Sequence, residues 1–396
     1  MHNTIRHPML KPALRRGWRD LRTAQFGVTP AHAIVLGPLD TATARLLHLL
    51  DGTRGLPLLR EEASRMGLAD GQVDQLLARL VAAGLLDDAT GGGEAAQALR
   101  ERGGPALDRL RPDLAALSMV SREPGGALGR LAARRTTRVQ VRGLGRVGAA
   151  VAAMLAGAGV GGVDVRDGGC VEPWDVAPGG LPPESVGGRR EEAARRLVRR
   201  CAPGRLPRLI RPGRSASAPG PGPGRQPRTE PGFSLVVLAP REGLDGYAPD
   251  PAAAEHLMAA GTPHLYAGVI EGTGVVGPLV LPGASACANC LELGRAERDP
   301  DWPRLVAQWR SGPSRPVPSG ELALSTAVAG LVAGHALAFL DGESPASTGA
   351  RWEASLPDLA WSVRRVEAHP DCRCGASGGG EGGSHDVREQ HETMAG

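Results

Sequence analysis

Apolar and polar positions along the chain alternate in ways that change from one region to the next. In residues 1–90, two short β-like runs, RTAQFGV and HAIVLGPL, flank a turn at Thr29 and Pro30. Three segments with helical spacing follow: DTATARLLHLLDG, LPLLREEASRMG and DGQVDQLLARLVAAGLL. Leu46, Leu47, Leu50, Leu76, Leu77, Leu80 and Val81 recur at helical intervals, which predicts one buried face per helix. Asp40 and Asp70 stand where N-caps belong, and Gly52 and Gly67 where helices stop. Together these elements predict a small winged helix.

From residue 138 the pattern becomes RVQVRGLGRVGAAVAAMLAGAGVGGVDVRD: an apolar strand, a turn carrying Gly143, Gly145 and Gly148, an Ala-rich helix, and a second strand ending at Asp167. Glycines at this spacing let backbone N–H groups approach a phosphate at a helix N-terminus, and an acidic residue after the next strand can bond ribose hydroxyls. The segment therefore predicts a mononucleotide-binding α/β unit. The turn alone does not choose between NAD and ATP, and such turns also serve helix–strand packing.

Six cysteines are present. Cys287 and Cys290 form C-x-x-C, and Cys372 and Cys374 form C-x-C far downstream. Four thiolates in two chelating pairs suit tetrahedral zinc, with His369 an alternative to a cysteine of the tighter pair and a disulfide or inert buried thiols the competing readings. MHNTIRHPMLKPALRR has no apolar core of a secretory signal, which favours a reducing cytoplasm. Cys170 and Cys201 read as apolar fillers.

Taken jointly, the glycine turn, Asp167 and the two cysteine pairs make residues 136–375 resemble the ThiF and MoeB family of adenylyltransferases, relatives of ubiquitin-activating enzymes. VEPWDVAPGG falls at the family's V-E-x-x-N-x-x-R-Q loop, SVGGRREEAARRL at its V-G-x-x-K-x-E-A-A-x-x-L helix, and HLYAGVIEGTGVVGPLVLPGASACANC at the strands entering the first cysteines. The resemblance implies a Rossmann-like doubly wound α/β sheet, ATP with magnesium, a structural zinc site and a homodimer. It implies nucleotide contacts from Gly143, Gly145, Gly148, Asp167 and Arg190, with Arg190 in place of the family's helix lysine. Other family groups are missing: its second Asp falls on Gly169, its loop Arg on Pro178 and its Asp after the third strand on Ala239. Since losing one such electrostatic group commonly costs about a hundred- to a thousandfold in rate, the pattern predicts weak or lost adenylation. Glu242 and Asp245 are candidate replacements for the metal ligand, and Asp175 for the loop Asn.

The first 90 residues also resemble PqqD-like domains, through LLHLLDGTRGL and LARLVAAGLLDD. In that family an extended leader peptide adds a strand beside the wing, so backbone bonds supply affinity and alternate side chains supply specificity. The two resemblances together imply a protein that binds a ribosomal precursor peptide and presents it to a separate YcaO-type cyclodehydratase. Competing readings are a working adenylyltransferase that activates the C-terminal carboxylate of a carrier protein or peptide, and a winged-helix DNA-binding regulator. DNA binding is disfavoured by a net charge of only +4 in a chain whose default cation is arginine. An NAD-dependent oxidoreductase is disfavoured because no hydride-transfer constellation follows the turn.

The remaining stretches are read from composition. Residues 88–105 predict a linker within a connecting region, 91–135, whose later part holds one or two helices; residues 211–232 predict a disordered Pro/Gly-rich insertion, and 376–396 a disordered tail. LALSTAVAGLVAGHALAFL, residues 322–340, has transmembrane length, but its alanines, Ser325, Thr326 and His335 favour a buried helix and no membrane. With 41% hydrophobic and 3% aromatic residues, the core must be built from Ala, Val and Leu.

Overall fold

The computed structural model describes residues 5–204, 232–241, 243–312 and 318–376, apart from the Arg102 side chain. The Pro/Gly-rich insertion up to residue 231, the tail beyond Ala376 and Glu242 lie outside the described residues.

The chain opens with β1 (Pro8–Leu10), β2 (Arg16–Asp20), β3 (Thr23–Phe26) and β4 (Ile34–Leu36), followed by α1 (Thr41–Leu49), α2 (Leu56–Arg65), α3 (Gln72–Ala82) and β5 (Leu86–Asp88). β2, β3 and β4 form an antiparallel sheet, and β1 pairs with β5. Leu46, Leu47, Leu76, Leu77 and Leu80 meet Phe26 and Leu36 in one apolar cluster, as the helical spacing requires. Asp40 caps α1 by accepting a hydrogen bond from Thr43 N at 2.6 Å. Asp70 does not cap α3. That helix starts after Gly71, whose φ of +83° sets the turn, and the Gln72 side chain accepts from Ala69 N instead.

Residues 88–105 differ from the linker that their glycines predict. They hold α4 (Gly93–Arg102) and the start of α5 (Gly104–Arg109), which pack with α6 (Arg111–Val120) and α7 (Gly126–Arg134) around Leu99, Leu110, Leu117 and Leu131. The physical reason lies in contact, not flexibility. A Cβ on Gly125 would sit 2.4 Å from Gly91 Cα, and one on Gly92 2.7 Å from Gly125 O, so these glycines let two backbones touch. Lys11 joins this helical unit to the N-terminal strands: its Nζ donates to Ser121 O at 2.7 Å, and Gly125 N donates to Asp87 beside it. Burial pulls the Lys11 pKa down, while the Asp87 charge opposes that shift.

The larger sheet holds β6 (Arg138–Arg142), β7 (Gly162–Arg166), β8 (Leu235–Leu238), β9 (His264–Ile270), β10 (Thr273–Val280), β11 (Ala350–Ser355) and β12 (Ser362–Arg365), in the order β12-β11-β10-β9-β8-β6-β7. β6 to β9 run parallel, and β10 to β12 continue antiparallel. Val139, Val141, Leu235, Val237 and Leu265 point to one face, covered by α8 (Arg146–Gly157), α9 (Arg190–Cys201) and α14 (Leu322–Leu340). Val236, Tyr266 and Val280 point to the other, where they meet Leu257 of α11 (Glu255–Ala259), which follows α10 (Leu244–Tyr247). α12 (Ala288–Arg298) and α13 (Trp302–Ser311) follow the β9–β10 hairpin. Ala-rich α8 is buried along almost its whole length, because alanines let it lie against the sheet, α9 and α14 together. α14 is the one described helix long and apolar enough to cross a membrane; Leu324, Val328, Val332 and Ala336 bury it against β9, β10 and α8. A bidentate ion pair, Arg134 Nε to Asp341 Oδ1 at 2.6 Å and Nη2 to Oδ2 at 2.5 Å, ties α7 to the end of α14 with both side chains 5% exposed.

Candidate functional site: a nucleotide cleft and a four-cysteine cluster

The three motif glycines do different work. Gly143 has φ +88°, and a Cβ there would sit 2.0 Å from Ala239 O; a Cβ on Gly148 would sit 1.9 Å from Gly143 O. Both therefore serve the turn and the packing of α8 on the strands. Gly145 is the N-cap of α8, has no side chain to cap the helix, and a Cβ there would meet Arg241, its Cγ at 3.3 Å and its Cα at 3.8 Å. The opening N–H groups of a helix without a side-chain cap favour an anion.

Asp167, at the end of β7, accepts from Leu144 N at 2.5 Å and from Arg190 Nη1 at 2.6 Å. A carboxylate has about four acceptor positions, so two remain for ribose hydroxyls. Arg190, in the first turn of α9 and 5% exposed, also donates to Gly168 O, Cys170 O and Asp175 Oδ2, at 2.7, 2.5 and 3.1 Å. It is locked beneath the cleft and positions Asp167 and Asp175. Asp175 is 2% exposed and accepts from Arg241 Nε at 2.7 Å and from Glu172 N at 2.9 Å. Burial pushes its carboxyl above the usual range, against the pull of Arg190. Arg241 pairs with Glu172 as well, and Arg146 donates to Gly320 O at the approach to α14. Gly145, Arg146, Trp174, Asp175, Arg241 and Ser325 line a cavity over the start of α8.

The glycine turn, helix start and half-used Asp167 carboxylate thus fit a nucleotide. The positions expected to lack polar groups do so: Gly169 turns at φ +72°, Pro178 is exposed and Ala239 is buried. Asp175 reaches the cleft. Asp245 faces another cavity, with Arg142, Asp250 and Tyr266, and so is not brought to the helix start; Glu242 is outside the described residues. Arg241, Glu172, Arg146 and Trp174 were not singled out by sequence reasoning. The available signal for Arg241 was its position two residues past Ala239, in the segment that leaves β8.

The four cysteines come together. Cys287 caps α12, Cys290 lies in its first turn, and Cys372 and Cys374 sit on the segment after β12. All four Sγ atoms lie within 4.8 Å of one another, with Cys287–Cys290 at 3.9 Å, Cys287–Cys372 at 3.6 Å and Cys290–Cys374 at 3.5 Å. Four sulfurs at about 2.3 Å from a tetrahedral zinc would be about 3.8 Å apart, so the cluster could hold that ion. His369 is not a member: Nε2 faces Glu297 at 2.9 Å and Nδ1 accepts from Asp371 N. Burial raises the Cys287 and Cys290 thiols. At Cys372 burial is outweighed by hydrogen bonds, the largest from Asn289, which bring it to about 7.

The ThiF family model matches residues 123–376, well over half of the chain. This chain belongs to the ThiF family. Its fold is similar to that of E. coli MccB solved with MccA, at 13% identity and a TM-score of 0.64, over 93% of this chain and 99% of MccB. MccB solved with ATP gives 14% and 0.63 over the same shares. PaaA gives 16% identity and 0.62, covering 89% of this chain and 98% of PaaA. No curated protein matches the sequence. At these identities the likeness establishes the fold, and the match reaches into the N-terminal strands as well as the sheet that carries the cleft.

Proposed function

We propose that this chain binds a precursor peptide through residues 1–90, a PqqD-like winged-helix unit, and acts on it as an ATP-dependent adenylyltransferase at the start of α8. The observation that carries this reading is the extent of the shared fold: MccB, whose structures include MccA and ATP, is matched over 99% of its length, N-terminal unit included. Gly145 and the first N–H groups of α8 hold phosphate, Gly143 and Gly148 shape the turn, Asp167 takes the ribose hydroxyls, and Arg190 orients Asp167. ATP with magnesium, when bound, supplies the adenylyl group. The peptide adds a strand to an edge of the β2–β4 sheet, where Arg15, Arg16, Arg19 and Arg22 suit an acidic segment. Cys287, Cys290, Cys372 and Cys374 hold a structural zinc. A homodimer would use the outer face of α14, where Ala323, Ala327, Gly330 and Gly334 are exposed; the setting is the cytoplasm.

A second reading is favoured by Gly169, Pro178 and Ala239, which leave the cleft short of the family's charged groups. In it the ThiF-type sheet is a scaffold that presents the peptide to a YcaO-type cyclodehydratase, with little or no adenylation of its own. Pyrophosphate release, measured with peptides encoded beside the gene, separates the two. Peptide-dependent release supports the adenylyltransferase. Peptide binding without release supports the scaffold, and absence of peptide binding refutes both.

A further inference from the structure

Arg146, Arg241 and Asp175 line the cleft, and beside and beneath it Arg190 pairs with Asp167 and Asp175 while Arg241 pairs with Glu172 and Asp175. The three arginines are held in different ways. Arg190 donates to two backbone carbonyls in addition to its carboxylates, and its side chain is 6% exposed. Arg146 is tied to Gly320 O. Arg241 makes its polar contacts to carboxylates, Asp175 and Glu172, its side chain is 23% exposed, and its stem lies across Gly145. A guanidinium whose polar contacts are carboxylates exchanges one anion for another by side-chain rotation, with no backbone bond to break.

We infer that Arg241 is the phosphate-binding cation of this cleft, reaching from the segment after β8 across Gly145 at the start of α8. Without nucleotide it is parked between Asp175 and Glu172. With nucleotide it turns from them onto a phosphate seated at the start of α8, forming a charge-assisted pair of the kind that guanidinium and phosphate favour. Asp175 keeps Arg190, so its buried carboxylate is not left unpaired by the exchange. Sequence reasoning gave the phosphate to Arg190; the geometry gives Arg190 a positioning role under Asp167 and gives the phosphate to Arg241.

The inference rests on the nucleotide reading above, and calorimetry with MgATP, AMP and adenosine tests the two separately. Wild type, Arg241→Ala and Arg241→Lys are compared after thermal unfolding has shown each to be folded; the lysine variant keeps a cation beside Asp175 if the alanine variant does not fold. The expected result is a loss of ATP affinity of about ten- to a hundredfold in Arg241→Ala, a smaller loss in Arg241→Lys, unchanged adenosine affinity, and a flatter dependence of ATP affinity on salt. Equal ATP binding by wild type and both variants overturns the role of Arg241 alone. A parallel fall in adenosine and ATP affinity overturns it too, since that marks a structural effect. No nucleotide binding by wild type overturns the reading of the cleft itself.

Discussion

Removing the metal from the four-cysteine cluster should loosen the far side of the sheet. The cluster joins the start of α12 to the segment after β12, across separations of 84 and 85 residues, and is part of the apolar cluster that includes Val236, Tyr266 and Val280. Its sulfur spacings of 3.5 to 3.9 Å fit a tetrahedral ion and are too long for a disulfide, whose sulfurs lie about 2.05 Å apart. An ion that binds only the folded chain, at free concentrations a thousandfold above its dissociation constant, stabilises it by about 4.1 kcal/mol. A domain of this size shifts its unfolding midpoint by about 2–4 °C per kcal/mol, so full chelation should lower the midpoint by about 8–16 °C. The assay is elemental analysis of protein purified under reducing conditions, followed by thermal unfolding with and without a strong chelator. Re-addition of zinc should restore the midpoint. Protein that carries no stoichiometric metal and unfolds at the same temperature in chelator would refute the reasoning, and a midpoint that drops with reductant alone would point to a disulfide.

Gly148→Ala should cost about 3 kcal/mol, the upper end of overpacking effects, because its Cβ would meet Gly143 O at 1.9 Å; urea unfolding measures it. Gly145→Ala, which puts alanine at an N-cap with its Cβ 3.3 Å from Arg241 Cγ, should cost only about 1 kcal/mol in the same experiment yet weaken nucleotide binding in calorimetry. Asp341→Ala should destabilise by about 3–5 kcal/mol, since it strands a buried guanidinium, whereas replacing Arg134 and Asp341 together with Met and Leu should cost much less. Burial lowers the His264 pKa, so the unfolded chain takes up a proton first as pH falls; the stability that neutral His264 contributes is complete above about pH 6.5 and is lost as pH falls toward its folded-state value. His264→Phe should flatten that slope in unfolding measured from pH 8 to 5, and an unchanged slope would rule His264 out as its source.

Much of this molecule is legible in the order of its residues. The leucines of α1 and α3 announce their buried faces by spacing alone, and the strand, glycine turn and Ala-rich helix from 138 to 157 stand as their pattern requires. The cysteines, far apart in sequence, meet as two chelating pairs. What stayed hidden depends on backbone proximity. Glycines 91, 92 and 125 look like linker composition, and only the crossing of two chain segments shows that they are contact points. Asp70 lost its capping role because Gly71 could take the left-handed turn that starts α3. Arg241 carried no motif, because its meaning comes from the carboxylates that fold beside it.

The burial of Lys11 bears on chemical self-protection. It is the sole lysine among 396 residues, and its nitrogen is held inside the fold by Ser121 O. Apart from the α-amine, the chain therefore offers its surroundings no primary amine, and every other basic side chain is an arginine or histidine. Mixed anhydrides of carboxylic and phosphoric acids are acylating agents, and unprotonated amines are their readiest acceptors on a protein. Under the adenylyltransferase reading proposed above, an activated carboxyl group would therefore find few amines on the protein itself to acylate, because the other basic side chains carry guanidinium or imidazole groups. The same property makes the protein nearly silent to amine-directed labels, so that any labelling at Lys11 would report the parting of the N-terminal strands from the helices beside them.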